Sequence, residues 1–218
     1  MENRKLLDEL LERYPQLESV GTEIGKAAES LINCYQNGGK VLVCGNGGSC
    51  SDSDHIVGEL MKGFEHKRPL DQVMKQQLVS IAGERGAYLA EKLQMALPTI
   101  SLTAHSALIT AVANDTDANL IFAQQVMGYG NAGDVLIGIS SSGNSQNVID
   151  AMLTAKLKGM TIVGLTGETG GKMKPLCDVL VNVPGRRTAF VQELHLPVYH
   201  TLCLIIEQYF FNNNTTNY

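Results

Sequence analysis

The 218-residue sequence contains no run of eighteen apolar residues, which argues against a membrane span. Its opening, MENRKLLDELLERYPQ, lacks the apolar centre of a signal peptide. A basic excess is also missing. Lys and Arg number 17 against 22 Asp and Glu, and the formal net charge of −5 disfavours a protein held on nucleic acid by phosphate neutralisation. Tryptophan is absent. The five cysteines (Cys34, Cys44, Cys50, Cys177, Cys203) are odd in number and scattered, with neither zinc-knuckle spacing nor a disulfide framework. These absences point to a soluble protein of a reducing, cytoplasmic setting. The remaining composition, 44% hydrophobic and 18% charged, can bury a core and is not that of a disordered chain. The length suits one domain spanning 1–218, with at most an appendage.

Hydrophobic spacing predicts N-terminal helices over 1–37, interrupted at Pro15 and stopped by Asn37-Gly38-Gly39. The apolar run Lys40–Cys44 reads as a buried parallel strand, and a helix follows it. Further strands are expected at 99–103, 134–139, 161–165 and 179–183. Helices are expected at 106–113, 120–128 and up to Gly159, and a last one over 188–211 is expected to kink at Pro197. Strands alternating with helices predict an α/β fold with a parallel sheet covered on both faces, and ligands beyond the carboxyl ends of its strands. The segment 71–97 carries no strand signal and reads as a helical insertion, divided at Gly83 and Gly86, lying over the active-site edge or a subunit interface. The polar tail 212–218 is expected to fray.

Two strand-to-helix turns carry the chemistry. Gly45-Asn46-Gly47-Gly48-Ser49 lets backbone approach a ligand at the positive end of a helix, and its glycine spacing is not that of the dinucleotide fingerprint. Ser140-Ser141-Ser142-Gly143-Asn144-Ser145 offers more hydroxyls than an N-cap needs, as a phosphate cradle would, and no Walker lysine follows. His55 and Glu59 stand four apart on one helix face and suit either a divalent metal or acid/base work; a solvated pair is the plain alternative. On the last helix, Gln192 and His200 differ in direction by about 80° and can reach one cleft. Glu193 and His195 point elsewhere, as a structural and buried pair. Asn114-Asp115 reads as a helix end or as part of a sugar site. Cys50 has no basic partner to activate it.

In their order, these motifs resemble the sugar isomerase (SIS) domain family and, within it, the phosphoheptose isomerases. The resemblance rests on Cys44-Gly45-Asn46-Gly47-Gly48-Ser49, His55, Glu59, Ala113-Asn114-Asp115, Gly133 to Ser145, Leu165-Thr166-Gly167, Thr188 to His195, and His200. It implies a flavodoxin-like three-layer sandwich with five parallel strands, a homotetramer with interfacial active sites, and conversion of sedoheptulose 7-phosphate to a manno-heptose 7-phosphate. It also implies that Ser49, Ser140, Ser142 and Ser145 hold the phosphate, with Ser141 nearby. Asn46, Gly47, Gly48, Asn114, Asp115 and Gln192 would complete the substrate site. Glu59 would be the base and His200 the acid. In zinc-containing members His55, Glu59, Gln192 and His200 match the ligands, so one zinc per site is expected, and a Glu59 bound to zinc is less free to act as base. The family's basic residue near the end of the Glu59 helix has no direct match in Met61-Lys62-Gly63-Phe64; either Lys62 substitutes or the contact is absent.

A non-catalytic SIS protein, such as a phosphosugar-binding or replication-initiation regulator, would share the phosphate turns but not the Glu59/His200 pair. A sugar-phosphate-sensing domain attached to a DNA-binding module finds no such module in this sequence.

Overall fold

The computed structural model describes residues 2–211. The expected fraying of 212–218 falls outside them. The chain opens with α1 (Glu2–Arg13), a short 3₁₀ turn and α2 (Gly21–Gln36). β1 (Val41–Gly45), α3 (Gly48–Met61), α4 (Gln72–Lys92) and β2 (Thr99–Ser101) follow. Then come α5 (Ser106–Asp115), α6 (Ala123–Tyr129), β3 (Val135–Ser140), α7 (Gln146–Leu157), β4 (Thr161–Thr166), β5 (Val179–Asn182) and α8 (Thr188–Phe211).

The five strands form one parallel sheet in the order β2-β1-β3-β4-β5. Every residue of β1 and β3 is buried, as both-face coverage requires. Alternate side chains serve opposite layers. Val41, Val43, Val135, Ile137, Val163 and Leu165 pack with α1, α2, α3 and α8. Leu42, Cys44, Leu136 and Ile162 pack with α6 and α7. β1 feeds a helix on the first face and its neighbour β3 feeds one on the second. The crevice between their carboxyl ends is therefore the topological switch point of the sheet, where α/β folds bind ligands.

Two elements differ from expectation. The strand read to 103 ends at Ser101, because Ser101 and Thr103 turn their hydroxyls on each other at 2.7 Å. The helix read over 120–128 is split: Asp117 caps a 3₁₀ turn over Ala118–Leu120, and α6 starts at Ala123. α8 runs through Pro197 as one helix. Proline there removes the N–H that would bond the Glu193 carbonyl, and Glu193 is exposed to solvent. By length and composition α8 is apolar enough to cross a membrane, yet 61% of its most apolar window is buried inside this fold.

α4 breaks direction at Ala82 and Gly83, where Gly83 has φ +53°. Gly86 lies against the Leu78 backbone with no room for a side chain, so the two arms fold back on each other. Of α4 only Gly86 and Ala90 are buried, while Val73, Val79, Ile81 and Tyr88 stand exposed. Both ends of the segment are tied down, through a bridge between Pro69 and Gln94 and a 2.7 Å bond from Met95 N–H to the Arg68 carbonyl.

Candidate active site

The first part of the site is a cavity of about 330 Å³ at the switch point, lined by Asn46, Gly47, Gly48, Ser49, Ile139, Ser140, Ser141, Ser145, Thr188 and Gln192. Its lining carries no charged side chain. An anion here would be held by hydroxyls, amides and the positive ends of α3 and α7, both of which start at its rim. Ser140 and Ser145 share a hydrogen bond of 2.9 Å. Asn46 and Asn147 exchange two amide bonds of 2.8 and 2.9 Å across the turns and fix their spacing. Gly47 sits at φ +58°, which the turn requires of glycine, and a Cβ on Gly48 would come within 2.5 Å of Gln192 Nε2, so the Gln192 side chain packs directly on the turn. Ser142 is turned away: its hydroxyl accepts from the Asn144 N–H at 3.2 Å and it does not line the cavity.

The second part lies further along the same two helices. His55 Nε2 is 3.2 Å from Glu59 Oε1, as their i,i+4 spacing dictates. The other Glu59 oxygen is 3.3 Å from Lys62 Nζ, and the Glu59 side chain is only 12% exposed. His55 Nδ1 meets the Tyr199 hydroxyl at 3.0 Å, and that hydroxyl lies 3.3 Å from Asp52 Oδ1. The His200 ring stands edge-on to His55, Tyr199 and Phe64, with centroids 4.9, 5.1 and 5.3 Å away. Burial, then the neighbouring His55, push the His200 pKa below the ordinary histidine value, while Glu59 opposes them. His200 Nε2 is buried without a hydrogen-bond partner. Burial raises the Asp52 pKa, against the Tyr199 bond and His55.

His55, Glu59 and His200 thus come together between α3 and α8. Gln192 and His200 do not share one cavity. Eight residues apart, they are separated by about 12 Å along the helix. Gln192 lines the switch-point cavity, and His200 lines another of about 260 Å³ with Leu10, Arg13, Phe64 and Glu65. Asn114 and Asp115 end α5, exposed and bonded to each other at 2.8 Å, away from both cavities. The expected Glu193–His195 pair does not form. His195 is fully buried with its Nε2–H donating to the Thr166 carbonyl at 3.2 Å, whereas Glu193 is exposed. Sequence reasoning assigned no role to Thr188, Asn147, Asp52, Tyr199 and Phe64. Asp52, three residues before His55 on α3, and Thr188, four before Gln192 on α8, had a spacing signal.

Among the described residues, no three His, Cys, Asp or Glu side chains form a group suited to a metal ion. Glu59 faces His55 and Lys62, and Gln192 stands two turns away in the other cavity. Of the four residues expected to hold zinc, His55, Glu59 and His200 stand together, with the buried His200 Nε2 free of any hydrogen-bond partner, while Gln192 lines the switch-point cavity.

The chain matches the family model "SIS domain" over residues 6–81 and 77–167. The chain belongs to the SIS domain family. Among its SIS relatives, the phosphoheptose isomerase of Shewanella pealeana is 41% identical over 197 residues, covering 89% of this chain and 87% of that protein. The phosphoheptose isomerase of Maridesulfovibrio salexigens is 40% identical over 204 residues, covering 94% and 84%. The solved phosphoheptose isomerase from Neisseria gonorrhoeae superposes with a TM-score of 0.70 at 34% identity, covering 95% of this SIS chain and 94% of that one. The one from Francisella tularensis gives 0.74 at 33% identity, covering 90% and 91%.

Proposed function

We propose that this SIS protein is a phosphosugar aldose–ketose isomerase whose substrate is sedoheptulose 7-phosphate and whose product is a manno-heptose 7-phosphate. One observation carries the reading: a neutral anion cradle at the switch point opens the same two helices, α3 and α8, that further along bring Glu59, His55 and His200 together. The relatives named phosphoheptose isomerase support the substrate class. The cradle fixes the phosphate, and the separation along α8 calls for an open chain of several carbons between phosphate and carbonyl.

Isomerisation moves a proton between C1 and C2 through an enediol. The Glu59 carboxylate, oriented by His55 and Lys62, takes the carbon-bound proton. His200, whose pKa is pushed down by burial and by His55, exchanges a proton with the substrate oxygens. A zinc ion held by His55, Glu59, Gln192 and His200 would supply Lewis-acid polarisation of the substrate oxygens.

The protein is further proposed to act as a cytoplasmic homotetramer with sites completed between subunits. The exposed apolar residues of α4 support assembly. The cradle and His200 open on different cavities of one chain, and Asn114 and Asp115 line neither, which fits a role toward a neighbouring subunit. All five cysteines are free, as suits a reducing compartment.

The test is to incubate the purified protein with sedoheptulose 7-phosphate and follow the aldose product, in parallel with chelator and with added zinc. Turnover is expected. Binding without turnover under every metal condition would overturn the isomerase reading in favour of a phosphosugar-binding protein.

A further inference from the structure

Arg68 and Glu207 form an ion pair whose two side chains are both 0% exposed, with Arg68 Nη2 2.8 Å and Nε 2.9 Å from Glu207 Oε1. A buried pair of this kind adds little net stability compared with apolar side chains of similar volume, so its presence calls for another reason. Its remaining hydrogen bonds supply one. Arg68 Nη1 donates to the Leu60 carbonyl at 2.7 Å and Nη2 to the Glu59 carbonyl at 3.0 Å. These are carbonyls of the last turn of α3, left without helical N–H partners, and a guanidinium there also suits the negative helix end. Glu207 accepts from three consecutive backbone N–H groups, those of Phe64 at 2.8 Å, Glu65 at 2.8 Å and His66 at 3.1 Å. Phe64 stands against the His200 ring, and Phe64 and Glu65 form one wall of the cavity that His200 lines. Glu207 sits on α8, seven residues after His200. One buried pair therefore ties the end of the Glu59 helix, the wall facing His200 and the helix bearing His200 into one body.

We propose that Arg68 and Glu207 are positioning residues for the isomerisation: they fix Glu59 and His200 relative to each other by clamping the 62–68 segment between α3 and α8. The proposal rests on Glu59 and His200 being the base and acid. Neither Arg68 nor Glu207 lines the anion cradle, so phosphate binding is left alone when the clamp is loosened.

The experiment uses the full chain and two readouts. Glu207→Gln keeps the shape and weakens the anchor. It is expected to lower kcat at least about tenfold with KM within about twofold of wild type, since small misplacements of reacting groups cost that much or more. Arg68→Lys keeps the charge without the fork and should recover part of the activity lost in Arg68→Met. The double change R68M/E207M replaces the pair by apolar side chains and is expected to fold, yet remain slow. Hydrogen exchange at the amides of 64–66 should rise in Glu207→Gln while exchange in the 140–145 turn stays unchanged. A folded double variant with wild-type kcat, a loss confined to KM, or unchanged exchange at 64–66 overturns the proposal. If the wild-type protein does not turn over sedoheptulose 7-phosphate, the functional reading fails, and the exchange measurement still decides whether the clamp exists.

Discussion

His195 offers a quantitative test of how α8 is seated on the sheet. Its ring is fully buried, Nε2–H donates to the Thr166 carbonyl at the end of β4, and Nδ1 has no hydrogen-bond partner. Burial pushes its pKa down from 6.5 to about 4, with the Thr166 bond opposing. The sign follows from linkage. Between about pH 6.5 and 4 the unfolded chain binds a proton at this position that the folded chain refuses, so the contribution is full above the unfolded value and is lost as pH falls. A shift of this size corresponds to about 3 kcal/mol in all, of which about 2 kcal/mol falls between pH 7 and 5. In His195→Gln the side chain still carries an N–H for the Thr166 carbonyl but does not titrate. Urea unfolding at pH 7 and pH 5 isolates the effect, followed by far-ultraviolet circular dichroism because the chain has no tryptophan. Wild type should lose about 2 kcal/mol more than His195→Gln over that interval. Equal losses would refute the argument and mean that the ring accepts a proton in the folded state.

The other predictions concern the site and the assembly. Glu59→Gln should lower kcat by about 10²- to 10⁴-fold while phosphosugar binding, measured by calorimetry, is retained; full activity would remove Glu59 from the role of base. Ser140→Ala, which takes away the hydroxyl shared with Ser145, should raise KM about tenfold or more and weaken competition by inorganic phosphate, with kcat changed far less. Ile81→Asp, at a side chain 80% exposed on α4, should leave the monomer fold intact but shift sedimentation toward smaller species. An unchanged oligomer would exclude that face from the assembly.

The fold was legible where local pattern decides it. β1 and β3 are short β-branched apolar runs preceded by glycine, and their length and flanks read as strands buried on both faces. The ends of β2 and α6 were less legible, because side-chain bonds within single turns, Ser101 to Thr103 and Asp117 to Asn119, decided them. The site divided in the same way. The turns around Gly47 and Ser140 and the His55–Glu59 spacing are properties of contiguous sequence. Tyr199 against His55 is separated by 144 residues and Arg68 against Glu207 by 139, and helical periodicity reports which face a residue occupies, not what it meets.

The same distinction applies on α8. An angular offset of about 80° allowed Gln192 and His200 one cleft, but eight residues also separate them by about 12 Å along the axis. The axial distance places Gln192 on the switch-point cavity and His200 beside His55. The same applies to α3, where Ser49 and Glu59 stand ten residues apart, about 15 Å along the helix. Two helices that leave one crevice and stay packed together can hold a phosphate at their starts and reacting groups further on. With the proposed function, such an arrangement would select substrates by the length between phosphate and carbonyl, a property that neither turn motif carries alone.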